Sequence, residues 1–142
     1  MVTSSDILKE IVQLNILKSI DEKIRGQLEE FIKLTINGDT IRSYLAIDAM
    51  LKPKVYGILL YILTNARLIK IEITKDVDIS SSSFFLNTLI SIDRKLIGED
   101  ISSIDIIFQN TSVGLRYPVS NKKIADFFQT VEKAKTGDAP KS

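Results

Sequence analysis

The chain has 142 residues and contains no histidine, no cysteine and no tryptophan. Those absences decide most of the chemistry that is open to it. Without His or Cys the usual zinc sites are closed, and so are nucleophiles that need an imidazole or a thiolate. General acid–base work would rest on carboxylates, Lys or Tyr alone. Glu29 and Glu30 are sequence neighbours in a helical stretch, so their side chains diverge. Asp76 and Asp78 share a parity in a polar loop and could hold a hard cation, but EF-hand spacing is missing. Glu99 and Asp100 lie in "IGEDISS", which reads as a turn or a local cap. Ser80 to Ser83 form a polar loop with no base placed beside them. "INGDT" lacks the spacing and the lysine of a phosphate-cradling loop. The expectation is a non-enzyme with no catalytic residues, no cofactor and no metal.

The cations offer a different chemistry, the binding of anions. Lys52 and Lys54 flank Pro53 in a loop, and Arg67 and Lys70 follow a second turn. Such groups can meet phosphates, although two exposed lysines contribute little once salt screens them. Nineteen basic against eighteen acidic residues leave a net charge of +1, so no global field draws the chain to nucleic acid. Basic residues are not interleaved with aromatics either. Nucleic acid is therefore not an expected partner.

Positioning elements are legible from periodicity. Ile7, Ile11 and Leu14 share a helical face, and Ile20, Ile24, Leu28 and Phe31 recur at helical spacing further on. Ser19 with Glu22 fits a capping box that would start a second helix; the alternative is one long helix through residue 36. Asn37-Gly38 fits a helix stop. From residue 39 the pattern becomes strand-like. "TIRSYLAIDAML" is followed by the Lys52-Pro53-Lys54 loop and the apolar run Val55–Leu63. Thr64-Asn65-Ala66 reads as a tight turn, with Asn suited to a left-handed backbone. Ile69, Ile71 and Ile73 then alternate with polar residues. Phe84, Leu86, Ile90 and Ile92 share one parity in the next strand. Two more strands carry Ile104, Ile106 and Phe108, then Val113, Leu115 and Tyr117, each on one face. Ile124, Phe127, Phe128 and Val131 make a helical stripe capped by Ser120 or Asn121. The organisation expected is a helical segment over 1–38, a barrel with its helix over 39–135, and a disordered tail over 136–142.

Several short strands followed by one amphipathic helix with paired aromatics resemble a pleckstrin-homology-like domain. The stretch Leu63-Thr64-Asn65-Ala66-Arg67-Leu68 resembles the "L-T-N-x-R-L" signature of bacterial PH-like and GRAM-like domains, and "TLISID" resembles a later strand of that family. The resemblance implies an α+β fold: an antiparallel β-barrel or sandwich capped by a C-terminal helix, here preceded by extra helices. It also implies a binding module. Lipid-binding members cluster basic residues around the first hairpin loop, which here holds Lys52 and Lys54, with Arg67 and Lys70 as further candidates.

The run Val55–Leu63 is apolar on both parities, so both its faces need cover. The N-terminal helices, a second copy or a partner could supply it, and the helices carry matching stripes. The sequence thus implies a module for protein–protein interaction or assembly, with self-association included and anionic lipid headgroups as the alternative ligand. The N-terminus lacks a signal-peptide pattern and the longest apolar run is too short to span a bilayer. A cytoplasmic location is expected, with peripheral membrane attachment as the alternative.

Overall fold

The computed structural model describes residues 2–14, 17 and 20–136, with side chains to 134. Its elements run α1 (Ser4–Ile11), α2 (Glu22–Ile36), β1 (Ile41–Lys52), β2 (Val55–Thr64), β3 (Arg67–Thr74), β4 (Ile79–Phe85), β5 (Leu89–Ile97), β6 (Ile101–Phe108), β7 (Ser112–Pro118) and α3 (Lys122–Thr136). The strands make two hydrogen-bonded sheets, ordered β1-β2-β3-β4 and β5-β6-β7. They are separate antiparallel sheets, in keeping with the antiparallel α+β fold expected. The chain divides into two compact units, the first ending at Ser83 and the second starting at Phe84.

In the first unit the helical stretch is two helices. Thr3 and Asp6 form a reciprocal capping box at the start of α1, and the helix ends at Ile11. The second helix is capped by Asp21, whose Oδ1 accepts from the Ile24 N–H at 2.9 Å. The expected Ser19–Glu22 box is therefore corrected: Glu22 is already helical, a nearer carboxylate does the capping, and Ser19 lies outside the described residues. The stop falls where expected, with Asn37 left-handed at φ 48° and Gly38 at φ 85°.

Burial explains the doubly apolar strand. On one parity of β2, Ile58, Leu60 and Ile62 join Ala46 of β1 and Ile69, Ile71 and Ile73 of β3 in a continuous apolar layer. Ile7 and Ile11 of α1 and Leu28, Ile32 and Ile36 of α2 pack into that same core. Spacing of four residues along α2 keeps its three on one face. Leu59, Tyr61 and Leu63, on the opposite parity, are buried as well. Each large aliphatic side chain so buried contributes ~1.5–3 kcal/mol. The N-terminal helices are thus part of the first unit's core.

Ile79–Phe85 is a strand, where the serine run was expected to be a loop. Small side chains with no Gly or Pro tolerate the edge of a sheet, which is where β4 lies.

The second unit is a β5-β6-β7 meander with α3. Ile104, Ile106 and Phe108 are buried on one face of β6, and Val113 and Tyr117 on β7, as the alternation requires. The expected strand through Phe84, Leu86 and Ile90 is interrupted by a 3-10 turn at Leu86–Thr88 and a register shift between Leu89 and Ser91. The interruption breaks the parity and leaves Ile90 exposed. In α3 the stripe Ile124, Phe127, Phe128 and Val131 is buried, and the Asn121 side chain caps the first turn through the Ile124 N–H. Phe127 and Phe128 meet edge-to-face at 5.2 Å, and Arg94 of β5 pairs with Glu132 at 2.6 Å.

A chain beginning at Gly38 would expose the layer of Ile58, Leu60, Ile62, Ile69, Ile71 and Ile73. Light scattering of that truncated protein is expected to show aggregation or a new oligomer. A soluble monomer of unchanged thermal stability would contradict the shared core.

Candidate functional site

Four cations were expected to form an anion site, and the structure does not bring them together. Lys52 ends β1 opposite Val55, and the two-residue turn Pro53-Lys54 joins the strands. Lys54 takes a left-handed φ of 66°, which sharpens the hairpin. Both lysines are exposed. Arg67 begins β3 at the far end of β2, nine residues along, or about 30 Å of extended strand. Lys70 is half-buried in mid-strand opposite Tyr61.

Arg67 has a defined set of partners. Its Nε donates to Asp39 Oδ2 at 2.8 Å, and Nη1 donates to Ser83 Oγ at 3.2 Å. Its Nη2 donates to the carbonyls of Thr35 at 2.9 Å and Ile36 at 2.7 Å. Those carbonyls belong to the last turn of α2, which has no intrahelical donors left for them. A cation there also complements the negative end of the helix dipole. The planar guanidinium suits this fork, which a lysine could not reproduce.

Thr64 completes the arrangement. Its fully buried hydroxyl lies 2.9 Å from Asp39 Oδ2 and accepts the backbone N–H groups of Ala66 and Arg67 at 3.1 and 2.9 Å. Asn65 acts through its side chain: Oδ1 accepts the Thr40 N–H at 3.1 Å, while its own N–H donates to the Thr40 carbonyl at 3.0 Å. Asn65 does not take a positive φ, so its expected left-handed role is replaced by this bridge. Asp39, the hub of the network, was missed in the sequence. Its only signal was its place directly after the Asn37-Gly38 stop, where the chain must turn back to the sheet.

The hairpin end has features the sequence reading also missed. Met50 lies opposite Tyr56, and they are 57% and 56% exposed. The Lys75 N–H donates to the Tyr56 carbonyl at 3.2 Å, which places exposed Lys75 at the same end. Counting back from the two-residue turn would have paired Leu51 with Tyr56; a bulge between Met50 and Lys52 shifts the register and sets Met50 there instead. Lys52, Lys54, Met50, Tyr56 and Lys75 thus form one exposed tip, basic and partly apolar.

Two phenols are shifted by burial. Burial raises the Tyr61 hydroxyl well above the usual phenol range, and the Glu72 charge adds to it. Tyr44 is pushed up to about 12, by burial first and then by its 2.9 Å hydrogen bond to Glu10. Both phenols stay protonated near neutrality and cannot serve as bases. Asp76 and Asp78 sit in the β3–β4 turn, where Val77 has φ 64° and the Asp78 carbonyl accepts the Thr74 N–H. Among the described residues no group of three metal-ligating side chains assembles.

No protein-family model matches the chain, and no curated protein matches it in sequence. Solved structures do match in fold. The hSac2 domain from human phosphoinositide phosphatase Sac2 aligns with a TM-score of 0.54 at 15% identity, covering 86% of this chain and 87% of that one. A pleckstrin homology domain from Shewanella amazonensis aligns at 0.50 and 13% identity, covering 89% of this chain and 97% of that one. The C-terminal domain of an unknown protein from Leishmania infantum aligns at 0.51 and 10% identity, covering 75% and 97%. The chain therefore has a pleckstrin-homology-like fold: two antiparallel sheets and a C-terminal helix, preceded by two N-terminal helices.

The Arg67 network yields a stability prediction. Arg67→Ala should lower unfolding stability by about 2–4 kcal/mol, because it leaves a part-buried carboxylate without its cation and removes a donor from two helix-end carbonyls. Arg67→Lys should recover less than half of that. Urea denaturation checks both, and a lysine variant as stable as the parent would refute the role of the fork.

Proposed function

We propose that this chain is a non-catalytic cytosolic module that binds protein, self-association included. The exposed apolar side chains of β5 carry the reading. Ile90, Leu96 and Ile97 are 53%, 65% and 39% exposed on one strand at the edge of its sheet. Leu96 and Ile97 stand on opposite faces of that edge strand, and exposed apolar side chains flanking an edge favour contact with a partner. An edge strand also offers backbone donors and acceptors to a partner. The "L-T-N-x-R-L" element supports a place near the bacterial, GRAM-like branch of the fold. In this reading Arg67 holds the scaffold and Lys70 is a sheet residue, so neither forms a ligand site with Lys52 and Lys54.

The alternative ligand is an anionic lipid headgroup at the β1–β2 tip. Its specific support is the exposed Met50–Tyr56 pair beside Lys52, Lys54 and Lys75. An amphipathic aromatic and a flexible apolar chain suit the interfacial depth of a bilayer. No described helix is long and apolar enough to cross a membrane.

Vesicle co-sedimentation separates the two. Near an anionic surface each basic residue contributes ~1 kcal/mol, which makes three lysines a weak anchor. The protein-binding module should stay in the supernatant with phosphatidylserine vesicles at physiological salt, and Lys52→Glu with Lys54→Glu should change nothing. Sedimentation that the double variant abolishes would overturn this reading in favour of the headgroup site.

A further inference from the structure

The solvent face of the β5-β6-β7 sheet is written in rows. Lys95, Ser103 and Arg116 lie side by side across the three strands. Two residues along, Asp93, Asp105 and Gly114 make the adjacent row. Asp93 and Asp105 are direct cross-strand partners, an arrangement of like charges that destabilises a sheet. All four charged side chains are exposed, and none takes part in an ion pair among the described residues. The Asp105 carboxylate leans over Gly114, where an added Cβ would stand 2.7 Å from its Oδ1. A shallow depression of about 450 Å³ runs over this face.

The pattern is complementary to itself. On β6 the outward residues are Ile101, Ser103, Asp105 and Ile107. A two-fold axis crossing the strands between Ser103 and Asp105 exchanges Ile101 with Ile107 and Ser103 with Asp105. On β5 the same operation sets Lys95 over Asp93. On β7 it sets Arg116 over Gly114, the one position in its row without a side chain, and beside Asp105. We propose that two copies of this chain dock face to face through this sheet, each copy's basic row on the other's acidic row. The proposal rests on the protein-binding reading and names its partner.

The contact relieves what the isolated face leaves unpaired. Asp93 gains the second copy's Lys95, and Asp105 gains its Arg116 and the Ser103 hydroxyl as donors. The apolar ends, Ile101 against Ile107, close the pair at both sides. Such an isologous contact closes at two copies. Three strands ~4.8 Å apart and four rows deep give a face on the order of 400 Å² per copy. That is below the ~800 Å² per partner of a stable complex, so the pair is reversible and depends on concentration and salt.

Charge exchange tests it. Lys95→Glu sets a carboxylate on the second copy's Asp93, and Asp93→Lys sets an ammonium on its Lys95. Sedimentation velocity over a concentration and salt series should show each single variant self-associating at least ~10-fold more weakly than the parent. Mixed in equal amounts, the two variants are complementary, because both contacts between positions 93 and 95 again set a carboxylate against an ammonium. Fluorescence anisotropy of one labelled variant should then show pairing restored. Rescue by mixing also excludes a folding defect. A parent protein that is monomeric throughout, or variants that do not rescue each other, overturns the docking. That failure leaves the protein-binding reading standing, which only vesicle sedimentation removes.

Discussion

A single carboxylate oxygen joins the end of α2 to the first sheet. Asp39 Oδ2 lies 2.8 Å from the Arg67 guanidinium and 2.9 Å from the Thr64 hydroxyl. Through Arg67 it is tied to the last carbonyls of α2, and through Thr64 to the β2–β3 turn. The network is partly sheltered, with the Arg67 and Asp39 side chains 15% and 22% exposed. Shelter strengthens the attraction, and the added hydrogen bonds offset the cost of removing two charges from water. The Asp39 N–H already serves the Ile36 carbonyl, and Arg67 adds donors to the Thr35 and Ile36 carbonyls that water would otherwise have to supply.

The apolar layer depends on that junction. Once α2 is fixed at its C-terminal end, Leu28, Ile32 and Ile36 are aimed at Ile58, Leu60 and Ile62. Tyr44 of β1 repeats the arrangement at α1, donating to Glu10 at 2.9 Å. The N-terminal helices therefore close one face of the first sheet by polar contacts at its margins and apolar contacts at its centre. This division of labour is usual where directional bonds set orientation and burial supplies most of the energy. It also leaves the β1–β2 tip and the β5-β6-β7 face as exposed surfaces available to a ligand.

Much of the fold was legible because its signals are periodic. The alternation of β3, β6 and β7 and the stripe of α3 state their own buried faces. The two-parity run of β2 correctly demanded cover on both sides. The serine run of β4 was not legible, because its strand character comes from pairing with β3 and not from its side chains. The break in the strand before β5 was hidden for a related reason: a 3-10 turn leaves no mark in a run of Phe, Leu and Ile. The candidate site was less readable still. Arg67 and Lys52 look equivalent as cations in a sequence. Only the fold puts one against the end of a helix and the other on an open hairpin, some nine residues of strand away. The Asp39–Arg67 pair spans 28 positions, and no local pattern reports a contact at that range.

The "L-T-N-x-R-L" element is thus a junction between the helices and the sheet. A double-mutant cycle on Arg67→Ala and Asp39→Ala measures that claim most directly, because it isolates the interaction from the separate cost of each truncation. The predicted result is a coupling free energy of ~1–3 kcal/mol in urea denaturation. Additive effects, equal to within ~0.3–0.5 kcal/mol, would contradict it and return Arg67 to the residues open to a ligand.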